Sequence, residues 1–254
     1  MEEKLEAFRE LLEIMDRLRI ECPWDMKQTN ESLRNLTIEE TYELADAILD
    51  GNQDEIKQEL GDLLLHIVFY ARIGSETGDF DIADITRQLN KKLIYRHPHI
   101  FGDTEVDNAE DVKKNWEELK MREGRTVLGG VPRGLPAMIK AMRIQEKVRA
   151  VGFDWDEREQ VWEKVREELD ELAEEVNKLD ADKMESEFGD LLFSVINAAR
   201  LYGIDPETAL EKTNLKFIKR FKFLEQNTLQ KGRKLKDMNL DEMNGIWDQA
   251  KDYD

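Results

Sequence analysis

Residues 39–72 read EETYELADAILDGNQDEIKQELGDLLLHIVFYAR, and the same pattern returns 128 residues later, over residues 167–200. The second stretch reads EELDELAEEVNKLDADKMESEFGDLLFSVINAAR, and it matches the first at 13 of 34 positions without a gap. Self-similarity at a fixed offset indicates a duplicated unit. We therefore predict two tandem domains of common ancestry.

Apolar residues recur at helical rather than strand spacing in both stretches and along most of the chain. No segment shows a convincing alternation of apolar and polar residues, which predicts an all-α fold of two tandem helical bundles. Thr37, just ahead of Glu39 and Glu40, is the expected N-cap of one helix, and Asp205-Pro206 is expected to begin a later one. We expect helices near residues 4–18, 37–50, 54–76, 81–95, 109–122, 136–149, 157–178, 181–202, 206–230 and 239–252.

The boundary between the two domains is predicted from glycine and proline, which are scarce elsewhere in the chain. Residues 126–136 read TVLGGVPRGLP. Because both residue types are unfavourable inside a helix, this stretch is the best candidate for a linker. We predict a first domain at 1–125, a linker at 126–136 and a second domain at 137–254.

Composition limits the partners of the chain. Its formal net charge is −19 and 37% of its residues are charged, so its surface repels nucleic-acid phosphates and no nucleic-acid partner is expected. No stretch approaches the ~18–20 uninterrupted apolar residues of a transmembrane helix, and the acidic N-terminus differs from a signal peptide. The single cysteine, Cys22, excludes an intrachain disulfide. We therefore expect a cytoplasmic protein with no membrane partner.

Five acidic residues keep the same spacing in both copies. Residues three or four apart share a helix face, so Glu40 and Glu43 project together on one helix. Glu59 and Asp62 do the same on the next helix, and Gly51-Asn52 between the pairs predicts a turn that brings them together. The corresponding acids are Glu39 and Glu167, Glu40 and Glu168, Glu43 and Glu171, Glu59 and Glu187, and Asp62 and Asp190.

Four carboxylates that converge between two helices repel one another unless a cation lies among them. Oxygen ligands in this number suit Mg²⁺, or Mn²⁺. A merely solvated acidic surface does not explain why the copies keep these acids while Gln58 becomes Ser186. A di-iron site needs Glu-x-x-His motifs, and here aspartate occupies the histidine position. The helical glycines before the aspartates, Gly61 and Gly189, suggest a close helix approach or room for a ligand.

An EExxE motif is followed about fifteen residues later by an ExxD motif. This arrangement resembles the signature of the MazG-like all-α nucleoside triphosphate pyrophosphohydrolases. It stands as EETYE and ELGD in the first half and as EELDE and EFGD in the second. The flanks resemble tandem-domain members of that family, and the resemblance covers essentially the whole chain. These flanks are CPWDMKQT at 22–29, RHPHIFGD at 96–103, LPAMIKAMRIQEKVRAVGFDW at 135–155 and KFIKRF at 216–221.

The resemblance implies Mg²⁺-dependent hydrolysis of ribo- and deoxyribonucleoside triphosphates to the monophosphate and pyrophosphate. It also implies a homodimer, broad specificity, a role in removing unwanted nucleotides, and attack of a metal-activated water on the α-phosphorus. Glu39 and Glu167 are then candidates to orient or deprotonate that water. The implied metal ligands are Glu40, Glu43, Glu59 and Asp62 in the first half, and Glu168, Glu171, Glu187 and Asp190 in the second.

The resemblance further assigns triphosphate binding to Lys216 and Arg220, and base stacking with a phosphate contact to Trp247 and Lys251. The first half departs from this pattern, because Gln88 stands where the second half has Lys216. The matching basic and aromatic residues of the first half are Lys91, Lys92, Trp116 and Lys120, with Arg96 as a neighbouring replacement. We expect the second domain to be active, and the first as well.

Three alternatives stay open at this point. The enzyme is either broad in specificity or specialised for dUTP or a phosphoribosyl nucleotide. A nucleotide-sensing module without turnover would use the same clusters for binding alone. In a third interpretation the first domain serves only as a dimerisation scaffold.

Overall fold

The computed structural model describes residues 1–108, 111–112, 115–116, 119, 126–155, 157–230 and 232–251. Within these ranges the chain forms helices and no strand, which confirms the predicted all-α fold. None of the described helices is both long enough and apolar enough to cross a membrane. The chain divides into two compact units, Met1–Val106 and Asp107–Asp254. The predicted linker at 126–136 stays a prediction, because much of the segment before it lies outside the described residues.

The first unit is built around a pair of neighbouring helices, α2 (Asn30–Asp50) and α3 (Gln53–Thr77). The helix α1 lies against α3, and Met15 of α1, Leu33 of α2 and Phe69 of α3 belong to one buried cluster. Burial of these apolar side chains fixes α1 across the pair. The helices of this unit are α1 (Glu2–Glu21), α2 (Asn30–Asp50), α3 (Gln53–Thr77), α4 (Ile82–Arg96) and the short α5 (Pro98–Phe101), and a 3-10 turn spans Asp25–Lys27.

The helix α2 begins seven residues before its predicted start, and Thr29 rather than Thr37 is its N-cap. The Thr29 hydroxyl accepts the Ser32 backbone N–H at 3.2 Å, and the Ser32 hydroxyl accepts the Thr29 N–H at 2.9 Å. Thr37 lies inside the helix, where its hydroxyl donates to the Leu33 carbonyl at 3.0 Å and lies 2.8 Å from the Tyr70 hydroxyl. The prediction for Thr37 was wrong because a threonine hydroxyl also bonds to the preceding turn of a helix.

A tight turn joins α2 to α3 and sets their antiparallel course. Gly51 ends α2 with φ of 68°, in the left-handed region that glycine adopts at low cost. The Asn52 side chain then accepts the backbone N–H groups of Asp54 and Glu55 at 3.2 and 3.4 Å and caps α3. The turn predicted at Gly51-Asn52 is therefore present.

The second unit repeats this arrangement in its own pair of helices, α7 (Val161–Lys178) and α8 (Ala181–Leu201). Leu179 takes the place of Gly51 with φ of 57°, and the Asp180 carboxylate accepts the Lys183 N–H at 3.2 Å. Asp205 accepts the Thr208 N–H at 2.7 Å ahead of Pro206, as predicted. The helices are α6 (Ala137–Arg149), α7 (Val161–Lys178), α8 (Ala181–Leu201), α9 (Pro206–Gln230) and α10 (Leu240–Ala250), with 3-10 turns at Arg158–Gln160 and Leu235–Asp237.

Most of the helix predicted at 109–122 lies outside the described residues. Those that are described within it, 111–112, 115–116 and 119, are helical. The other predicted helices are confirmed, with ends that differ by a few residues apart from the start of α2. The helix predicted from 157 is preceded by the 3-10 turn and begins at Val161.

A duplicated arginine anchors each ExxD helix to a neighbouring segment. In the second unit, Arg200 of α8 is 8% exposed and contacts both carboxylate oxygens of Asp154, at 2.5 and 3.1 Å. In the first unit the corresponding Arg72 of α3 lies 2.8 Å from the carboxylate of Asp16 on α1. These pairs hold the helices that carry the candidate site.

Candidate metal and nucleotide site

The helices α2 and α3 bring three glutamates together in the first unit. One carboxylate oxygen from each of Glu40, Glu43 and Glu59 lies within 4.8 Å of the other two. Glu40 and Glu43 share a face of α2, and Glu59 faces them from α3. Glu59 is 6% exposed, Glu40 is half-buried and Glu43 is exposed, so the cluster opens from the helix pair toward solvent.

Burial and mutual repulsion act on this first cluster. Burial raises the pKa of Glu40 above its ordinary value, and the negative charges of Asp62, Glu43 and Glu39 raise it further. Burial likewise raises the pKa of Glu59, and the negative charges of Glu43, Asp62 and Glu40 raise it further. Among the described residues, the charges that shift these two pKa values all belong to other carboxylates.

The residues of the first cluster fit a bound divalent cation. Glu59 Oε2 is buried and has no hydrogen-bond partner among the residues that the structure describes. A buried oxygen without a partner is costly, and a cation would satisfy it. Carboxylate oxygens are the ligands that Mg²⁺ and Mn²⁺ prefer, and the open side leaves room for water and phosphate.

The second unit holds the corresponding cluster between α7 and α8. Oxygens of Glu168, Glu171 and Glu187 again lie within 4.8 Å of one another. The buried member here is Glu168, at 6% exposure, whereas Glu187 is half-buried and Glu171 is exposed. The pKa of Glu171 is raised mainly by burial and further by the charges of Glu168 and Glu187. The positive charge of Lys164 lowers it in part.

Lys164 is a member of the second site that the sequence patterns did not single out. Its ammonium lies 2.8 Å from Glu167 and 2.7 Å from Glu168, on the next turn of α7. These two hydrogen bonds raise the pKa of Lys164 above its ordinary value. Two signals in the sequence point to it: the spacing of three and four residues to the acids, and Leu36 at the corresponding position of the first copy.

The remaining predicted acids lie beside the clusters. The charge of Asp62 raises the pKa values of Glu40 and Glu59. Asp62 is nevertheless not a member of the described group of three glutamates whose oxygens lie within 4.8 Å of one another. Asp190 is exposed and is likewise outside the described three-glutamate group. Glu39 and Glu167 are exposed neighbours of the clusters, and their roles stay predictions.

The glycines that precede the aspartates face open space. A Cβ atom built on Gly61 or Gly189 would meet no atom within 4 Å among the described residues. The close helix approach expected at these glycines is therefore not seen there. Room for a ligand is the interpretation that fits both positions.

The predicted nucleotide-binding residues of the second unit form an aromatic and basic group between α9 and α10. The Trp247 ring lies 4.9 Å from the Phe217 ring, and the Arg220 guanidinium lies 5.9 Å from the Trp247 centroid. Lys216 is exposed one turn before Arg220. Lys251 lies 2.7 Å from Asp248 at the end of α10. A basic group over an indole is suited to a base and its phosphates.

The corresponding residues of the first half are less completely described. Lys91 and Lys92 are exposed on α4, and Arg96 is half-buried at its end. Trp116 is half-buried in a helical turn, and Lys120 lies outside the described residues. The proposed contacts of these residues with nucleotide stay predictions.

Comparisons with known proteins identify the same two regions. The family model of the MazG nucleotide pyrophosphohydrolase domain matches residues 28–101 and again residues 157–224. The chain is similar to the nucleoside triphosphate pyrophosphohydrolase/pyrophosphatase MazG of Thermotoga maritima, with 45% identity over 253 residues that cover 97% of this chain and 96% of that protein. It is 41% identical to the nucleoside triphosphate pyrophosphohydrolase of Escherichia coli K12, over 95% of each chain. It is also 42% identical to the uncharacterized protein YabN of Bacillus subtilis, over 91% of this chain and 48% of that protein.

Proposed function

The chain belongs to the MazG nucleotide pyrophosphohydrolase family, and we propose from this membership that it hydrolyses nucleoside triphosphates to the monophosphate and pyrophosphate. The proposal rests on a structural feature that occurs in both units. Each of the two regions that match the family holds a cluster of three glutamates between two helices. Two relatives that match nearly the whole chain bear names that state this activity.

The proposed cofactor is Mg²⁺, with Mn²⁺ as a substitute. The ligands would be Glu40, Glu43, Glu59 and Asp62 in the first unit, and Glu168, Glu171, Glu187 and Asp190 in the second. When bound, the ion supplies positive charge that offsets the carboxylates and the triphosphate. The buried Glu59 oxygen without a partner and the raised pKa values of Glu40, Glu59 and Glu171 support this assignment.

The reaction joins a water oxygen to the α-phosphorus and breaks the bond from that phosphorus to the oxygen that leads to the β-phosphate. Glu39 and Glu167 are exposed beside the clusters, where either carboxylate can orient the water and accept its proton. Fixing the water in line with the departing pyrophosphate removes much of the entropic cost of the reaction.

Basic and aromatic side chains are proposed to hold the nucleotide. Arg220 and Lys216 would donate charge-assisted hydrogen bonds to the triphosphate, and Trp247 would stack on the base. Because an indole face stacks on any base, we propose broad specificity and a role in removing unwanted nucleotides. The other proposed contacts are Lys251 in the second half, and Lys91, Lys92, Arg96, Trp116 and Lys120 in the first.

We also propose that the protein forms a homodimer in the cytoplasm. Three apolar residues on α3 are exposed at intervals of four and three, and three residues on α8 are exposed at the corresponding positions. These are Leu60, Leu64 and Ile67, and Phe188, Leu192 and Val195, each between 38% and 58% exposed. An exposed apolar stripe that occurs twice is typical of a surface covered by a partner. A second copy of the chain is the partner that the proposal names.

The decisive experiment measures the release of pyrophosphate and orthophosphate from eight ordinary nucleoside triphosphates, with Mg²⁺ and with EDTA. The variants Glu40→Gln/Glu43→Gln and Glu168→Gln/Glu171→Gln disable one cluster each. Asp46→Asn/Asp50→Asn is the matched control, because it removes two exposed acids from α2 outside the cluster. We expect Mg²⁺-dependent release of pyrophosphate that one or both cluster variants lose and the control keeps.

Other outcomes separate the alternatives. Tight metal-dependent nucleotide binding without release of either product would replace the enzyme by a nucleotide-sensing module. Unchanged turnover in Glu40→Gln/Glu43→Gln would leave the first unit with a scaffolding role. Activity confined to one of the eight nucleotides would contradict broad specificity.

A further inference from the structure

The two clusters differ in one charged residue. In the second unit, the Lys164 ammonium lies 2.7 Å from the buried carboxylate of Glu168 and 2.8 Å from Glu167. In the first unit the corresponding position holds Leu36, whose side chain packs against the buried core that includes Phe69. One cluster therefore has an ammonium group on its own helix, and the other has a hydrocarbon side chain at that position.

This difference changes the state of the buried carboxylate in each cluster. Glu168 has Lys164 as an ion-pair partner. In the first cluster the buried glutamate is Glu59. One of its carboxylate oxygens is buried and has no hydrogen-bond partner in the described part of the chain. Lys164 thus offsets part of the repulsion among the carboxylates of the second cluster, whereas the described residues that shift the pKa values of Glu40 and Glu59 are all acids themselves.

A divalent ion in the second cluster would compete with Lys164 for the oxygen of Glu168. It would also be repelled by the ammonium, since two positive charges a few ångströms apart interact unfavourably even when partly screened. Both effects weaken metal binding in the second cluster. Neither effect is available from Leu36 in the first.

We propose that Lys164 is a tethered counter-ion that neutralises Glu167 and Glu168 in the metal-free second site and lowers the metal affinity of that site below that of the first. The inference rests on the proposed function only in assuming that both clusters bind a divalent ion. It implies that the two units load at different concentrations of free Mg²⁺. Lys164 acts through its ion pair with the Glu168 carboxylate.

The test is a direct titration with Mn²⁺ in the absence of nucleotide, with free Mn²⁺ followed by electron paramagnetic resonance. Glu40→Gln/Glu43→Gln isolates the second site, and Glu168→Gln/Glu171→Gln isolates the first. We expect the isolated second site to bind Mn²⁺ about fivefold more weakly than the first, and Lys164→Leu to remove most of that difference. Lys164→Arg keeps the charge and is expected to keep the weak binding.

Thermal unfolding supplies a second measurement that a purely structural role would not reproduce. With EDTA, Lys164→Leu should unfold at a lower temperature than the unsubstituted protein, because its acids lose their counter-ion. With saturating Mn²⁺ that deficit should disappear, whereas a packing defect would persist. A deficit that is equal in both conditions would contradict the inference.

The outcomes also distinguish this inference from the proposed function. If Lys164→Leu leaves the Mn²⁺ affinity of the second site unchanged or lowers it, the counter-ion role is wrong and the family activity is unaffected. If neither site of the unsubstituted protein binds Mn²⁺, the metal-dependent function itself is contradicted, and the counter-ion role falls with it.

Discussion

At the scale of single residues, the turns between the paired helices differ in side chain but not in backbone. Gly51 and Leu179 both have a left-handed backbone, with φ of 68° and 57°. Glycine adopts this conformation freely, whereas a residue with a Cβ atom pays about 1 kcal/mol for it. The Leu179 side chain is 82% exposed and gains little from packing. The second turn therefore carries strain that the first does not.

We expect Leu179→Gly to raise the free energy of unfolding by about 1 kcal/mol. Urea denaturation followed by circular dichroism measures this change. Leu179→Ala is the control, because it removes the same exposed side chain and keeps the Cβ atom. A stabilisation by alanine as large as that by glycine would show that the exposed side chain, and not the backbone, is the cause.

A second prediction concerns the pH dependence of the metal-free protein. The pKa values of Glu40 and Glu59 are raised, so the folded state holds these protons more tightly than the unfolded state. The linked stability falls as pH rises from the unfolded carboxyl pKa of about 4.3 through the raised folded values, and the loss is complete above them. In EDTA at pH 7, we expect Glu40→Gln/Glu59→Gln to be more stable than the unsubstituted protein.

That advantage should shrink as the pH is lowered to about 4, where the carboxyl groups of the unsubstituted protein become protonated. Urea denaturation at a series of pH values measures it, with Asp46→Asn/Asp50→Asn as the control for loss of two acids from the same unit. Saturating Mg²⁺ should reverse the order at pH 7. An advantage that does not change with pH would rule out repulsion within the cluster as its source.

At the scale of helices, Arg200 joins the ExxD helix of the second unit to the segment before α7. The ion pair with Asp154 is largely buried, with side-chain exposures of 8% and 17%. Removing Arg200 would leave the poorly solvated Asp154 carboxylate with its longer contact to Arg149, at 3.5 Å. The site depends on this contact, since α8 supplies Glu187.

We expect Arg200→Met to lower the free energy of unfolding by about 3 kcal/mol. Arg143→Met is the matched control, because Arg143 pairs with Glu146 at 2.8 Å on the exposed surface of α6. An exposed pair of that kind contributes at most about 0.5 kcal/mol. Equal losses in the two variants, measured by chemical denaturation, would contradict a specific role for the buried pair.

Helix positions were predictable from the sequence because the apolar periodicity and the duplication agree with each other. The three-residue spacing and the Gly51-Asn52 turn predicted that four carboxylates converge in each half. Three glutamates of each half do lie together, whereas Asp62 and Asp190 are outside the described groups. The start of α2 was not predicted, because Thr29 and Thr37 are both suited to an N-cap. In the structure Thr29 and Ser32 cap the helix, and the Thr37 hydroxyl bonds to the Leu33 carbonyl inside it. The spacing of Lys164 to Glu167 and Glu168 permits their pairing, but the side-chain rotamer that forms the pairing is seen only in the structure.

At the scale of the whole molecule, the exposed apolar stripe places the proposed dimer contact on the helices that carry the ExxD acids. Leu64 follows Asp62 by two residues on α3, and Leu192 follows Asp190 by two residues on α8. Because residues two apart on a helix do not face each other, a partner that covers either stripe would contact a different face of that helix from the acids.

We expect Leu64→Glu and Leu192→Glu each to weaken self-association, because a buried carboxylate without a partner is strongly unfavourable in an apolar contact. Size-exclusion chromatography with light scattering should show a shift from two chain masses toward one. Leu229→Glu is the control, since Leu229 is 67% exposed on α9 and lies off the stripe. Circular dichroism verifies that each variant keeps its helices. A monomeric unsubstituted protein, or equal dissociation by Leu229→Glu, would refute the stripe as the dimer contact.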